Sequence, residues 1–258
     1  MFDITTIGSA TIDIFVNTKN KLFKDQIPFG EKILLDDIHI FPGGGAINTA
    51  IHFSRFGLKT ACIAKIGKDY ALPQEINKKY LLKDKNSLSN YSIILDSNQG
   101  DRVILISNNL KLNFKEIKFP RTKWIYVASL NQDFLNNLIN LNCRIVLNTR
   151  KAPRGLLKKA EILILNQEEA EEIGADSKMA KLLVITNKDQ EIKAYYKNEV
   201  YKIMPDKNIK VVERTGAGDA FAAGFVYGII KKNDINFGLE QGLELAQKVV
   251  QKIGATNY

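Results

Sequence analysis

The residues best suited to chemistry fall in one stretch, Glu213-Arg214-Thr215-Gly216-Ala217-Gly218-Asp219-Ala220-Phe221. Two glycines flank an alanine, an aspartate follows at once, and a small-and-apolar run continues from Ala220 to Ile230. That run predicts a buried helix, with Gly224 and Gly228 on one face for close packing. Gly216 to Asp219 would be the turn leading into it. Backbone N–H groups at a helix N-terminus have no intrahelical acceptors and point outward, so they can seat an anion. Asp219 either caps that helix or faces whatever the amides hold. An ordinary glycine-rich turn with an N-cap aspartate is the structural alternative.

Three further places carry suitable residues. Pro42-Gly43-Gly44-Gly45 leads into a helix over Ala46–Phe56, whose face is marked by Ile47, Ala50, Ile51 and Ser54 and whose end is marked by Gly57. Glycines before a helix let a ligand approach the backbone closely, or simply make a loop. Asn48 lies in the first turn. Asn166-Gln167-Glu168-Glu169 follows the apolar run Ile162–Leu165, at a strand end leading into a helix stopped by Gly174. That is the ligand position of open α/β sheets, and Asn166 with Glu169 equally makes a capping box. Asp13 sits just past the first strand, where ligand-facing loops begin. No glycine-lysine phosphate loop and no dinucleotide fingerprint occurs.

The elements that must position these residues alternate. Phe2–Ile7 reads as a first core strand, and Leu58–Ile66 resumes the strand pattern after the first helix. From Trp124 the rhythm is strand then helix, with strands at 124–128, 144–148, 161–165, 182–186 and 192–196. Helices are expected around 132–140, 154–159, 167–173, 219–232 and 237–252. This alternation predicts a mostly parallel sheet covered by helices. Residues 14–16 and 32–40, and the hairpin of 91–95 with 102–107, stand outside it. Two such insertions separated by a βα unit predict a small second sheet beside the main one. The whole chain, 1–258, reads as one domain with insertions at about 14–42 and 91–108.

A chain of 258 residues with 45% hydrophobic and 25% charged residues is of ordinary globular composition. It shows no membrane-length apolar run and no signal pattern, so a cytoplasmic location is expected. Cys62 and Cys143 lack metal-type spacing and read as buried free thiols. The net charge of +9 comes from 37 basic and 28 acidic residues spread along the chain, which suits an anionic small ligand better than nucleic acid.

Taken together, these motifs resemble the ribokinase-like (PfkB) family of sugar and nucleoside kinases. Thr215-Gly216-Ala217-Gly218-Asp219-Ala220-Phe221 matches the end of the family's C-terminal signature, with Glu213 at its leading acidic position. Gly43-Gly44-Gly45-Ala46 with Asn48 matches the N-terminal one, Asp13 the early aspartate that grips substrate hydroxyls, and Asn166 with Glu169 the Asn-x-x-Glu motif. The resemblance implies a three-layer αβα sandwich with a mostly parallel sheet and a small β-sheet lid. It also implies transfer of the ATP γ-phosphoryl group to an alcohol, with Asp219 as base. Amides of Gly216, Ala217 and Gly218 would hold the phosphoryl group, and Asp13, Gly43, Gly44 and Asn48 the acceptor. Asn166, Thr186 and Thr215 are implied on the nucleotide side, with Glu169 ordering the water shell of Mg2+. Arg102 starts an expected lid strand, where its cation either closes over the phosphates or stays a solvated hairpin arginine. Glu213 stands where some relatives carry an aspartate associated with a monovalent cation, which leaves potassium dependence open. Thr186-Asn187-Lys188-Asp189 lacks the glycine usual beside the nucleotide base, and Gln247 stands near a usual purine-packing asparagine.

The expected function is therefore an ATP-dependent kinase of a small sugar. A nucleoside kinase is the nearest alternative, and a non-catalytic sugar- or nucleotide-binding relative is a third. Relatives also suggest a homodimer through the lid, with no nucleic acid and no membrane as partner.

Overall fold

Consecutive apolar residues in the parallel strands require cover on both faces. The computed structural model describes residues 1–17, 30, 32, 35, 37–96, 102–128 and 130–258, with Asp96 and Arg102 described by their backbone only. In chain order the first elements are β1 (Phe2–Ile7), β2 (Thr11–Asn17), β3 (Asp37–Gly43), α1 (Gly45–Arg55), β4 (Thr60–Ile63), β5 (Lys65–Ile66) and β6 (Leu82–Lys83). Next come β7 (Asn90–Asp96), β8 (Arg102–Ile106), β9 (Thr122–Val127), α2 (Gln132–Asn137), β10 (Arg144–Leu147), α3 (Arg154–Lys159), β11 (Ile162–Asn166) and α4 (Gln167–Glu172). The chain closes with β12 (Leu182–Thr186), β13 (Ile192–Tyr196), β14 (Glu199–Ile203), α5 (Ala217–Lys232) and α6 (Ile235–Val249).

The main sheet has eight strands in the order β14-β13-β12-β11-β10-β9-β1-β4. It is parallel from β4 to β12, and β13 and β14 are antiparallel additions at one edge. Alternate residues divide between two cores. Trp124, Tyr126, Ile162 and Ile164 pack against α1, α5 and α6; Ile125, Val127, Leu163 and Leu165 pack against α2, α3 and α4. This is the three-layer αβα sandwich. The helix α5 lies against α6 through glycines: a Cβ on Gly224 would sit 2.4 Å from the Gln241 carbonyl oxygen, and one on Gly228 2.6 Å from Gly238 Cα. The expected close-packing face is therefore present.

The second sheet has the order β3-β2-β7-β8. It joins the two predicted insertions through the parallel pairing of β2 with β7. Register makes its two faces unlike. Ile40, Ile14, Ile93 and Leu105 lie across one row, and Ile38, Val16, Leu95 and Val103 across another, all on the face opposite Asp13. Ile38, Ile40, Val103 and Leu105 are exposed there.

Several details differ from the sequence expectation. Asp13 lies inside β2 rather than in a loop, because the alternating apolar residues around it extend the strand on both sides. Leu58–Ile66 divides into β4 and β5, while β6 and β14 carried too little apolar pattern to be foreseen. The helix α5 begins at Ala217, so its N-cap is Gly216 and not Asp219. Both cysteines are free, but only Cys62 is buried; Cys143 is half-buried. Asn17 ends β2, and residues 18–21, most of 32–36 and the hairpin tip at 97–101 lie outside the described residues. Among the described residues no helix is long and apolar enough to cross a membrane.

Candidate active site

The site forms where β1 ends, between neighbours β4 and β9 that the chain reaches in opposite directions, which is where the crevice of an open α/β sheet opens. From β1 the chain passes through Gly8, Ser9 and Ala10 into β2, which brings Asp13 over this edge. Asp13 is buried, and the Thr11 hydroxyl donates to its Oδ1 at 2.6 Å. Burial raises its carboxyl to about 6, opposed by that hydroxyl and reinforced by the charges of Asp219 and Glu213. Gly43 faces the same carboxyl group. A Cβ there would fall 2.0 Å from Asp13 Oδ2, so only glycine leaves room for the acid.

The helix α1 starts directly after this contact. Gly44, at φ +93, turns the chain against the Ser9 carbonyl, and the Gly45 amide donates to Ser9 Oγ at 3.2 Å. A Cβ on Gly45 would press on Ala128, just past β9, at 2.8 Å. The far end of α1 is held by Arg55, which donates to Glu75 Oε1 at 2.9 and 3.0 Å and to the Thr256 carbonyl at 2.6 Å. Between these anchors Asn48 is buried at 3% exposure, and its Nδ2 donates to Asp219 Oδ2 at 2.8 Å.

Asp219 occupies the third position of α5. Gly216, the N-cap, adopts φ +82 and packs on Ala255, where a Cβ would fall 2.3 Å from the alanine Cβ. As a glycine, Gly216 offers no side chain to cap this helix. Its first bond runs from the Ala220 amide to the Gly216 carbonyl at 2.8 Å, so the Gly218 and Asp219 amides have no intrahelical acceptor. The Ala217 amide, one of the three expected to seat an anion, donates instead to the Arg214 carbonyl at 3.2 Å. A Cβ on Gly218 would meet nothing within 4 Å, so an open face lies beside the amides. Burial of the Asp219 carboxylate raises its pKa, and the Asn48 hydrogen bond opposes that rise. Just before α5, Glu213 tightens the turn: its Oε2 and Oε1 accept from the Thr215 amide and hydroxyl, both at 2.7 Å.

The Asn166–Glu169 turn is built differently. Asn166 Oδ1 accepts from the Glu169 amide at 2.8 Å, and Glu169 Oε2 accepts from the Asn166 amide at 3.1 Å, a complete capping box. Glu169 Oε1 faces Arg150 Nη1 at 3.6 Å. Thr186 sits beside Asn166 in the β11–β12 register, its hydroxyl donating to the Leu165 carbonyl at 3.4 Å. The Arg102 side chain lies outside the described residues. Among the described residues no group of three or more His, Cys, Asp or Glu could hold a metal ion. A lone glutamate fits Mg2+ carried mainly by phosphates and water.

Asp13, Gly43, Asn48, Gly218 and Asp219 thus meet at one crevice, a buried acid pair beside an open helix start. The chain matches the description of the pfkB family carbohydrate kinases over residues 1–258. It belongs to the pfkB family. It is 26% identical to fructosamine kinase FrlD of Bacillus subtilis over 86% of this chain and 88% of that one. The fold matches that of a nucleoside kinase from Methanocaldococcus jannaschii, an archaeal member of the ribokinase family, with a TM-score of 0.84 at 20% identity over 99% and 94% of the two chains. It also matches an Arabidopsis thaliana ribokinase complexed with ribose and ATP, with a TM-score of 0.78 at 16% identity over 99% and 94%.

Within this pfkB chain, four contributors escaped sequence reasoning. Thr11 holds Asp13, and Ser9 Oγ accepts from the Gly45 amide at the start of α1. Tyr126, fully buried on β9, accepts from Asn148 Nδ2 at 2.7 Å and has its pKa raised by burial and by nearby Asp219. Arg150 pairs with Glu169 and, at 3.0 Å, with Glu172. The Thr-x-Asp spacing of one strand face could have pointed to Thr11. Tyr126, Asn148 and Arg150 become neighbours of the site only through the parallel strand order.

Proposed function

We propose that this pfkB-family protein transfers the γ-phosphoryl group of ATP to a hydroxyl of a small sugar. The observation that carries the reading is the enclosed Asp219 carboxylate beside the open face of Gly218 at an uncapped helix start. Asp219 takes the proton as the acceptor oxygen forms its bond to phosphorus, and the bond to the bridging oxygen breaks to release ADP. The Gly218 and Asp219 amides, the α5 dipole and the Gly216 turn stabilise charge building on the transferring group. Losing one such donor typically costs about 3 kcal/mol of transition-state stabilisation. Asp13 and the backbone at Gly43 and Gly44 orient the acceptor. Asn166, Thr186, Thr215 and Arg102 serve the nucleotide side, and Glu169 would order water around a bound Mg2+, which would supply neutralisation of the phosphate charge. Use of ATP suits a cytoplasmic location.

The small sheet acts as a lid over the crevice and excludes water, which would otherwise take the phosphoryl group. Its apolar outer rows support a homodimer in which a second copy covers Ile38, Ile40, Val103 and Leu105. A monomeric mass by light scattering at micromolar concentration would remove that part.

The test is a panel of sugars and nucleosides with Mg-ATP, with and without potassium, read by ADP release. Acceptor-dependent release with a sugar supports the proposal, and release with nucleosides alone moves the acceptor to the second class. No release above background with any acceptor favours a non-catalytic binding protein. Potassium stimulation would bear on Glu213.

A further inference from the structure

The contact between Asn48 and Asp219 joins the first turns of two helices that lie 171 residues apart in sequence. A carboxylate only accepts hydrogen bonds, so the Asn48 amide must turn its nitrogen toward Asp219. Oδ2 is thereby occupied. The other oxygen, Oδ1, lies beside the glycine loop, where a Cβ on Gly45 would come within 3.6 Å of it. Asn48 Oδ1, in turn, is buried with no hydrogen-bond partner. A buried acceptor left unpaired is unfavourable, so this atom is suited to a donor arriving from outside the protein.

We propose that Asn48 is a positioning residue for Asp219: its Nδ2 holds Oδ2 and so leaves Oδ1 facing the acceptor hydroxyl. This rests on reading Asp219 as the base, and it goes beyond a simple acceptor contact for Asn48. Burial raises the Asp219 pKa and the Asn48 donor restrains that rise. Other titratable groups that act with Asp219 are Asp13 from β2 and Tyr126 from β9. The same amide therefore sets both the orientation and the ionisation of the base.

The test uses Asn48→Ala and the near-isosteric Asn48→Asp, with melting curves to confirm folding. Asp219 is titrated directly by carboxyl 13C NMR, assigned against Asp219→Asn, with no substrate present. Both variants are expected to titrate Asp219 at higher pH than the wild type. Their kcat/KM is expected to fall by about tenfold or more at the acidic end, the scale of a lost hydrogen bond to a charged group, and to recover as pH rises. In the wild type, the Asn48 side-chain amide resonances must move with the Asp219 titration, a readout that needs no variant to fold. An unmoved Asp219 titration, silent Asn48 resonances, or a loss of kcat/KM of the same size at every pH would each overturn the proposal. If NMR shows the coupling but no acceptor is phosphorylated, the kinase reading fails and the Asn48–Asp219 link stands.

Discussion

Two helix starts in this protein place a carboxylate at the same local position with opposite results. Glu169 is the third residue of α4 and Asp219 the third residue of α5. In α4 the N-cap is Asn166, whose side chain closes a reciprocal pair with Glu169, and Arg150 takes the remaining oxygen. In α5 the N-cap is a glycine at φ +82 and offers no side chain. Asp219 therefore finds its partner on another element, Asn48 of α1, and stays enclosed beside open backbone. The residue before the helix decides whether an acid satisfies its own turn or is left to act on something else. A capped turn stabilises locally; an uncapped one with a cross-element partner depends on the whole fold to hold its charge.

The sharpest way to break this contrast is to neutralise both acids. Asp219→Asn keeps the shape and removes the proton acceptor. Its kcat should fall by about 10² to 10⁴, the usual contribution of a general base, while acceptor affinity and melting temperature stay close to wild type. Glu169→Gln retains a side chain able to complete a capping box but loses the charge proposed to order water around Mg2+, so its turnover should fall less than that of Asp219→Asn and its Mg2+ requirement should rise. Steady-state kinetics on the two proteins decides the matter. Comparable losses would mean that the two starts do the same work, and an active Asp219→Asn would sink the base assignment.

Much of this contrast is legible in the chain itself. Gly216, Gly218 and Asp219 announce an open helix start, and Asn166 with Glu169 announces a closed one, because both are short-range patterns governed by backbone geometry. The two-sheet layout is also readable, since the hairpin near 91–107 breaks the βα rhythm. What cannot be read is long-range. Asp is depleted in strands, and although its apolar neighbours carry β2 through Asp13, nothing local shows that Thr11 and the absent Cβ of Gly43 make a pocket for it. The Asn48–Asp219 bond depends on the helix α1 crossing α5, and the Ala217 amide is lost to Arg214 through a turn that no residue type dictates.

Asp13 extends the comparison to a third acid, held by the Thr11 hydroxyl and pushed up by burial and by the charges of Asp219 and Glu213. Its carboxyl lies at about 6 in the folded protein against an ordinary value of 3.8. Because the folded pKa is raised, the native state holds a proton that the unfolded chain has released between those two values. Stability therefore falls as pH rises from about 4 to about 6 and levels off above, by up to about 3 kcal/mol from this group. Asp13→Asn can still accept from Thr11 but carries no charge. It should melt above the wild type at pH 7.5, by roughly 5 °C or more, and close to it at pH 4. Acceptor affinity should weaken at the same time, since the ionised oxygens are the stronger acceptors. A variant that melts below the wild type at both pH values would show that Asp13 is structural rather than held for a ligand.

The smallest effects separate the two helix starts by which quantity responds. Gly218 stands at the second position of α5, and a Cβ there meets no protein atom within 4 Å. Gly218→Ala should leave stability unchanged or raise it by up to about 1 kcal/mol from helix propensity, yet lower kcat/KM several-fold because the methyl group enters the open face. Asn166→Ala at the α4 N-cap should do the reverse, lowering stability by about 1 kcal/mol through the lost cap. Its turnover at saturating Mg-ATP should change little, with any loss of the proposed nucleotide contact showing in the KM for Mg-ATP. Melting curves paired with kcat/KM for the two alanine variants test this crossing pattern directly. If Gly218→Ala lost stability without losing activity, the space beside it would be empty of function, and α5 would begin with an ordinary glycine turn after all.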